Sequence, residues 1–82
     1  MVAMELVEHW WNGGAGGHRE DVIVRRGPEG THEVELRVGA RSIKREYRTR
    51  DEAKTISDGL RAVGVWLDLT RLRSFAGQAV AR

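Results

Sequence analysis

The side chains best suited to chemistry with a partner lie in a basic segment, defined here as residues 37–50. The segment holds six Lys or Arg residues and one acid, Glu46, so its local net charge is +5, whereas the whole chain of 82 residues has a formal net charge of +2. Cations grouped in this way bind phosphates and release the counterions condensed on a nucleic acid, without reading its bases. The sequence therefore predicts a nucleic-acid site at Arg37, Arg41, Lys44, Arg48 and Arg50.

A second interpretation of the basic segment is a solvated sheet face whose charges compensate one another. Strand alternation divides the cations between two faces, and on the polar face Lys44 is expected opposite Glu35, with Arg37 as another neighbour of Glu35. Arg45 falls on the apolar side, where its guanidinium can extend to solvent at the sheet edge. Both interpretations remain open at this level.

Residue types that could support catalysis or bind a metal are present, but their spacing does not fit. No pair among His9, His18 and His32 has the short spacing of metal ligands, and the chain contains no cysteine. The glycine-rich segment 12–18 lacks the Gly-Lys-Ser/Thr ending of a phosphate-binding loop and leads into a strand. We therefore predict a protein that is not an enzyme and has no metal and no cofactor.

The elements that must position the basic segment are strands followed by a helix. Thr49 and Glu52 form a capping box at the start of that helix, and Gly64 is its expected end. The pattern predicts one domain over residues 1–82, of the α+β class: a four-stranded antiparallel β-meander, one amphipathic helix packed on one face, and a C-terminal short helix or tail. The expected bounds are about 3–11, 19–26, 32–38 and 41–48 for the strands, about 50–63 for the helix and about 68–80 for the apolar tail.

The turns predict the register of the sheet. A two-residue turn at 39–40, with Gly39 in the first position of a type II′ turn, opposes Leu36 to Ile43. The same parity argument opposes Leu6 to Val24 in the first pair of strands. The apolar stripe of the helix is then expected to cover the sheet face that carries Leu36 and Ile43.

Adjacent tryptophans, Trp10 and Trp11, predict a second apolar surface. Neighbouring side chains of a strand point to opposite faces, so one ring enters the core and the other needs a cover. The cover is either the tail of the same chain, the same surface of a second copy, or the tail of a second copy in a swapped homodimer. The predicted interface comprises Val7, Trp11, Ile23, Trp66, Leu69, Leu72 and Phe75.

The order strand, turn, strand and a helix start of the form aromatic-x-Thr-x-x-Glu-Ala resembles the small three-stranded sheets of plant transcription factors and of the N-termini of phage-type integrases. Residues 33–38 and 43–47, with Thr49, Glu52 and Ala53, carry this resemblance. In those families the open face of the sheet contacts DNA. The resemblance therefore implies DNA binding by the sheet.

The sequence also bears on whether the protein is a membrane protein or a secreted one. No apolar run approaches the roughly 18 residues that a membrane span needs, and Glu5 and Glu8 stand where a signal peptide would carry cations. We expect a soluble cytoplasmic protein without a membrane partner. Two functions stay open: a small homodimeric nucleic-acid-associated or regulatory protein that uses the basic segment, and a protein-interaction module with an adaptor or assembly role that uses Trp11, Trp66 and the apolar tail, with no nucleic-acid role.

Overall fold

The computed structural model describes residues 4–13 and 19–70. It confirms the α+β class, with a twisted antiparallel sheet in the order β4-β3-β2-β1-β5 and one helix packed on one face. Among the described residues, no helix is both long and apolar enough to cross a bilayer. The elements are β1 (Glu5–Asn12), β2 (Glu20–Arg26), β3 (His32–Val38), β4 (Arg41–Tyr47), α1 (Arg50–Leu60) and β5 (Leu67–Asp68).

The hairpin between β3 and β4 has the predicted register. Leu36 lies opposite Ile43, and the turn residue Gly39 has a φ of 58° while Ala40 keeps a negative φ. Positive φ at the first central position alone is the signature of a type II′ turn, which matches the twist of the flanking strands. Local turn chemistry therefore sets which face each residue of the basic segment occupies.

The predicted register of β1 is wrong. Glu8, and not Leu6, lies opposite Val24, so the pairs from Glu8 to Asn12 are displaced by two residues from the predicted ones and keep the predicted faces. The pairing then shifts by one residue between Leu6 and Glu8. The extra residue, Val7, packs against the core beneath the helix, although the sequence placed it on the opposite face. A bulge inserts one residue into one strand, and a shift of one residue exchanges the two faces.

The helix begins as predicted and ends early. The backbone N–H of Glu52 donates to Thr49 Oγ1 at 3.2 Å, which is the N-cap bond of the expected capping box. The Glu52 carboxylate accepts at 3.2 Å from the Thr49 hydroxyl, in place of the expected backbone N–H. The helix ends at Leu60, so Val63 lies beyond it and is 84% exposed. The fully buried residues of α1 are small, Ala53 and Ser57, which lets the helix approach the sheet closely.

The core lies between α1 and the middle of the sheet. It is formed by the buried side chains of Val22, Val24, Val34 and Ala53, with half-buried Trp10 and Trp66 packed against it. The Trp10 indole donates to Glu8, which also accepts a hydrogen bond from Ser57, and the Arg61 guanidinium stacks 3.9 Å from the centre of the Trp10 ring. These contacts attach the helix to β1.

One short strand was not predicted. Leu67 and Asp68 form β5, which pairs with Trp11 and Trp10 at the other edge of the sheet. The sequence pattern placed residues 68–80 in an apolar tail or short helix, and residues 71–80 of that range, including Leu72 and Phe75, lie outside the described residues. A two-residue strand has no periodicity of its own, so only its pairing defines it.

Candidate functional site

Arg37 is separated from the rest of the predicted phosphate site by an ion pair. Its Nε donates to Glu35 Oε2 at 2.7 Å, and the hydrogen bond and charge of Glu35 raise the pKa of the Arg37 guanidinium. A carboxylate this close offsets the positive charge and repels a phosphate. The structure therefore removes Arg37 from the set of cations that are free to bind an anion.

The other cations of the basic segment are exposed, and none forms an ion pair with a carboxylate among residues 4–13 and 19–70. They follow the outer edge strand β4 and the start of α1. At a rise of roughly 3.3 Å per residue, the stretch from Arg41 to Arg48 extends over roughly 23 Å. This set, called the β4 cation row below, comprises Arg41, Lys44, Arg45, Arg48 and Arg50.

The two faces of the sheet share the β4 cation row. Arg41 and Arg45 lie opposite Val38 and Val34, on the helix-side face, whereas Lys44 lies opposite Glu35 on the other face. The only acid within the strand, Glu46, is exposed and has no ion pair with a described residue. The row can therefore contact an anionic polymer that runs along the sheet edge.

Glu35 is the centre of a buried charge cluster that sequence reasoning missed. We expected Glu35 on a solvated face, but the residue is 1% exposed and accepts hydrogen bonds from Arg25 (2.8 Å), Arg37 (2.7 Å) and Ser42 (2.6 Å). Burial by itself raises the pKa of the carboxyl, but the hydrogen bonds and the charge of Arg37 outweigh burial and hold the pKa at about 2. The signal in the sequence that could have revealed this cluster is the position of Arg25 and Ser42, which lie diagonally across from Glu35 on the two neighbouring strands.

A second buried carboxylate lies on the same face, near β1. Asp21 is 4% exposed and accepts hydrogen bonds from His9 Nε2 at 2.8 Å and from Arg19 Nε at 2.9 Å. Burial raises the pKa of Asp21, while the hydrogen bonds from Arg19 and His9 lower it by more. The Arg19 guanidinium also lies 5.5 Å from the centre of the Trp11 ring, whose buried Nε1 has no hydrogen-bond partner among the described residues. This cluster holds β1 to β2.

The second of the two histidines in the described chain, His32, is buried, and its Nδ1 lies 3.0 Å from the carbonyl oxygen of Gly30. Over residues 4–13 and 19–70, no three His, Asp or Glu side chains come together as metal ligands. His18 lies outside the described residues. The described histidines therefore act as parts of the sheet framework.

The predicted apolar interface does not form one exposed patch. Val7 and Trp66 pack against the core, Ile23 is 2% exposed, and Trp11 and Leu69 are half-buried. Leu72 and Phe75 fall among the residues that are not described. The fold instead buries or half-buries the members of this set that the structure describes.

An exposed apolar surface that the sequence did not predict lies beside β4. The helix packs over the middle of the sheet and leaves Ile43 63% exposed, although the sequence pattern placed Ile43 beneath it. The result is an open groove of about 270 Å³ between α1 and β4. Its walls are formed by Val34, Leu36, Ile43, Arg45, Tyr47, Ile56 and Leu60.

In the described chain, the β4 edge thus combines exposed cations that have no carboxylate partner with an open apolar groove. No protein-family model, no curated protein sequence and no solved structure matches this chain.

Proposed function

We propose that the protein is a small, non-enzymatic, cytoplasmic homodimer that binds nucleic acid through the phosphates. The observation that carries this proposal is the β4 cation row, whose five members lack carboxylate partners in the described chain. Arg41, Lys44, Arg48 and Arg50 are the proposed phosphate contacts, and Arg45 joins them from the helix side. Arg37 is not one of the proposed phosphate contacts, because its guanidinium forms an ion pair with Glu35.

The position of the contact differs from the one that the sequence resemblance implies. In three-stranded DNA-binding sheets the open face contacts DNA, but here the corresponding face carries Glu33 and Glu35, both in ion pairs with Arg25. Exposed cations on an edge strand can follow a phosphate backbone without approaching these carboxylates. We therefore place the nucleic acid along β4 and not across the face.

The proposal predicts a salt dependence. Four phosphate contacts on duplex DNA give a slope near −3.6 in log affinity against log salt, so affinity falls roughly 100-fold between about 50 and about 200 mM salt. On single strands the same four contacts give a loss of roughly 50-fold. Because no base-reading element is involved, we expect little preference among sequences of equal length and strandedness.

Fluorescence anisotropy of labelled single- and double-stranded DNA tests this proposal at the two salt concentrations. Arg48→Glu with Arg50→Glu removes two contacts and reverses two charges, and we expect it to abolish binding at about 200 mM salt. Lys54→Glu is the matched control for a single reversal, because Lys54 is exposed on α1 and already pairs with Asp58. Arg48→Glu alone is the single reversal that is compared with this control. Absence of DNA binding at about 50 mM salt contradicts the proposal, and so does an equal loss of DNA affinity in Arg48→Glu and Lys54→Glu.

A second candidate function is a protein-interaction module with no nucleic-acid role. It is favoured by the buried Trp11 Nε1, which has no hydrogen-bond partner in the described part of the chain, and by the exposure of Val63 (84%) and Val65 (82%) next to Trp66. Substitutions in the two surfaces distinguish the two functions. Reversal of Arg48 and Arg50 removes nucleic-acid binding and spares this surface, whereas Trp11→Ala damages this surface and leaves the β4 cation row in place.

A further inference from the structure

Strand β4 forms one edge of the sheet, and in the described chain no strand pairs with its outer side. Alternate backbone N–H and C=O groups of such a strand point outward and can pair with another strand. Edge strands usually carry charges that prevent this pairing, and β4 does carry them. The order of these charges, however, is self-complementary.

The sequence Ile43-Lys44-Arg45-Glu46-Tyr47 places opposite charges one residue on either side of Arg45 and large apolar side chains two residues on either side. A two-fold axis through Arg45, perpendicular to the sheet, sets β4 antiparallel to β4 of a second copy. Lys44 then lies opposite the partner's Glu46, and Ile43 lies opposite the partner's Tyr47, each pair occurring twice by symmetry.

Neighbouring two-fold registers place like charges together. An axis through Lys44 opposes that lysine to itself, an axis through Glu46 does the same for the glutamate, and an axis through Ile43 opposes Arg41 to the partner's Arg45. Like charges directly opposite one another destabilise a strand pair. Among the registers centred on residues 43–46, the charge order therefore favours the one centred on Arg45. That register has two attractive pairs, and its one contact between like charges joins the two Arg45 side chains.

The groove beside β4 supports the same arrangement. Ile43 is 63% exposed and Ile56 is 38% exposed on the helix-side face, where an axis perpendicular to the sheet brings the two grooves together. The apolar side chains of one copy then fill the space between its β4 and the helix of the other. Arg45 lines the groove, and its long side chain can turn its guanidinium to solvent.

We propose that the protein dimerises by antiparallel pairing of β4 with β4 of a second copy, in the register centred on Arg45, to give one continuous sheet. This inference rests on the homodimer of the proposed function, and it assigns the interface to β4 in place of the Trp11 surface. Pairing sets Lys44 against the partner's Glu46 and closes the outer side of β4. In the dimer the phosphate contacts of the proposed function are therefore Arg41, Arg48 and Arg50 of both copies, whose side chains project above and below the paired strands.

Sedimentation velocity of the full chain without nucleic acid, from about 1 to about 200 µM, tests the interface by charge exchange. Lys44→Glu and Glu46→Lys each turn two attractive pairs into two repulsive ones, and we expect each to raise the dimer dissociation constant about tenfold or more. The double variant K44E/E46K restores both pairs with reversed polarity and recovers the wild-type constant. Lys54→Glu is the control, because it makes the same charge change as Lys44→Glu at a site on α1. We expect it to leave the dimer dissociation constant unchanged.

The outcomes are separable. A wild-type monomer at about 200 µM, or a double variant no better than either single one, overturns the inference, because only this register predicts the rescue. A dimer that obeys the charge exchange but binds no DNA supports the interface and contradicts nucleic-acid binding. A monomer that binds DNA with the expected salt slope supports nucleic-acid binding and contradicts the interface. Circular dichroism checks that each variant keeps the fold, which these exposed positions permit.

Discussion

The buried carboxylate of Glu35 should be a main source of stability, and Glu35→Gln removes its charge while keeping its size. The side chain accepts hydrogen bonds from Arg25, Arg37 and Ser42, two of which come from cations. A neutral amide cannot replace charge-assisted bonds and leaves a half-buried guanidinium, that of Arg25, without its buried partner. We expect the variant to fold with reduced stability.

The magnitude follows from the pKa of Glu35. A fall in that pKa from 4.5 to about 2 on folding corresponds to about 3 kcal/mol of stabilisation by the ionised form. Because the folded-state pKa lies below the unfolded one, this stabilisation is complete above the unfolded pKa and declines as the pH falls toward 2. Near pH 3, about 2 kcal/mol of it is lost.

Urea unfolding followed by tryptophan fluorescence at pH 7 and pH 3 measures both effects. At pH 7, Glu35→Gln should lower the free energy of unfolding by about 2–3 kcal/mol, which is a fall in Tm of roughly 10–20 °C for a domain of this size. Between pH 7 and pH 3, the variant should lose about 2 kcal/mol less than the wild type. Glu29→Gln, at an exposed acid between β2 and β3 and outside the proposed interface, should change stability by less than about 0.5 kcal/mol.

The reasoning fails if Glu35→Gln and Glu29→Gln have the same effect at pH 7. It also fails if the stability of Glu35→Gln falls between pH 7 and pH 3 as far as that of the wild type, because the carboxyl would then not be the group that titrates.

Three further substitutions test other parts of the fold. Thr49→Ala removes the cap that receives the Glu52 N–H, and thermal unfolding should show a loss of about 1 kcal/mol. Gly39→Val places a branched side chain at a φ of 58°, and the same measurement should show a loss of about 1–3 kcal/mol. Asp21→Asn leaves His9 without its carboxylate and should cost about 1–3 kcal/mol at pH 7; since folding lowers the Asp21 pKa, the difference from wild type should shrink as the pH falls below about 4.

Much of the fold could be predicted because the signals are local. Alternation along β3, the type II′ turn at Gly39 and the capping box of Thr49 and Glu52 depend on residues within a few positions of one another. Such patterns determine strand faces, hairpin register and the start of a helix, whatever the rest of the chain does. The β1 register was missed because neither the pairing of Asn12 with Glu20 nor the bulge near Val7 leaves a comparable mark in the sequence.

The candidate site was only partly predictable. The basic segment is visible in the sequence, but whether each cation is free depends on which carboxylate lies within reach across the sheet. Arg37 is paired and Arg41 is not, although both belong to the same run. Charge distribution along a chain therefore gives the composition of a binding edge, and strand pairing decides which members of it can act.

The sequence by itself determined the alternation of side chains, the hairpin turn, the helix cap and the self-complementary order of residues 43–47, because each is a property of neighbouring residues. Only the tertiary structure decided that Glu35 is buried between Arg25 and Arg37, and that α1 leaves Ile43 exposed beside an unpaired strand edge. The physical reason is that burial and ion pairing depend on distances between residues far apart in the chain, which the packing of the helix and the order of the strands establish.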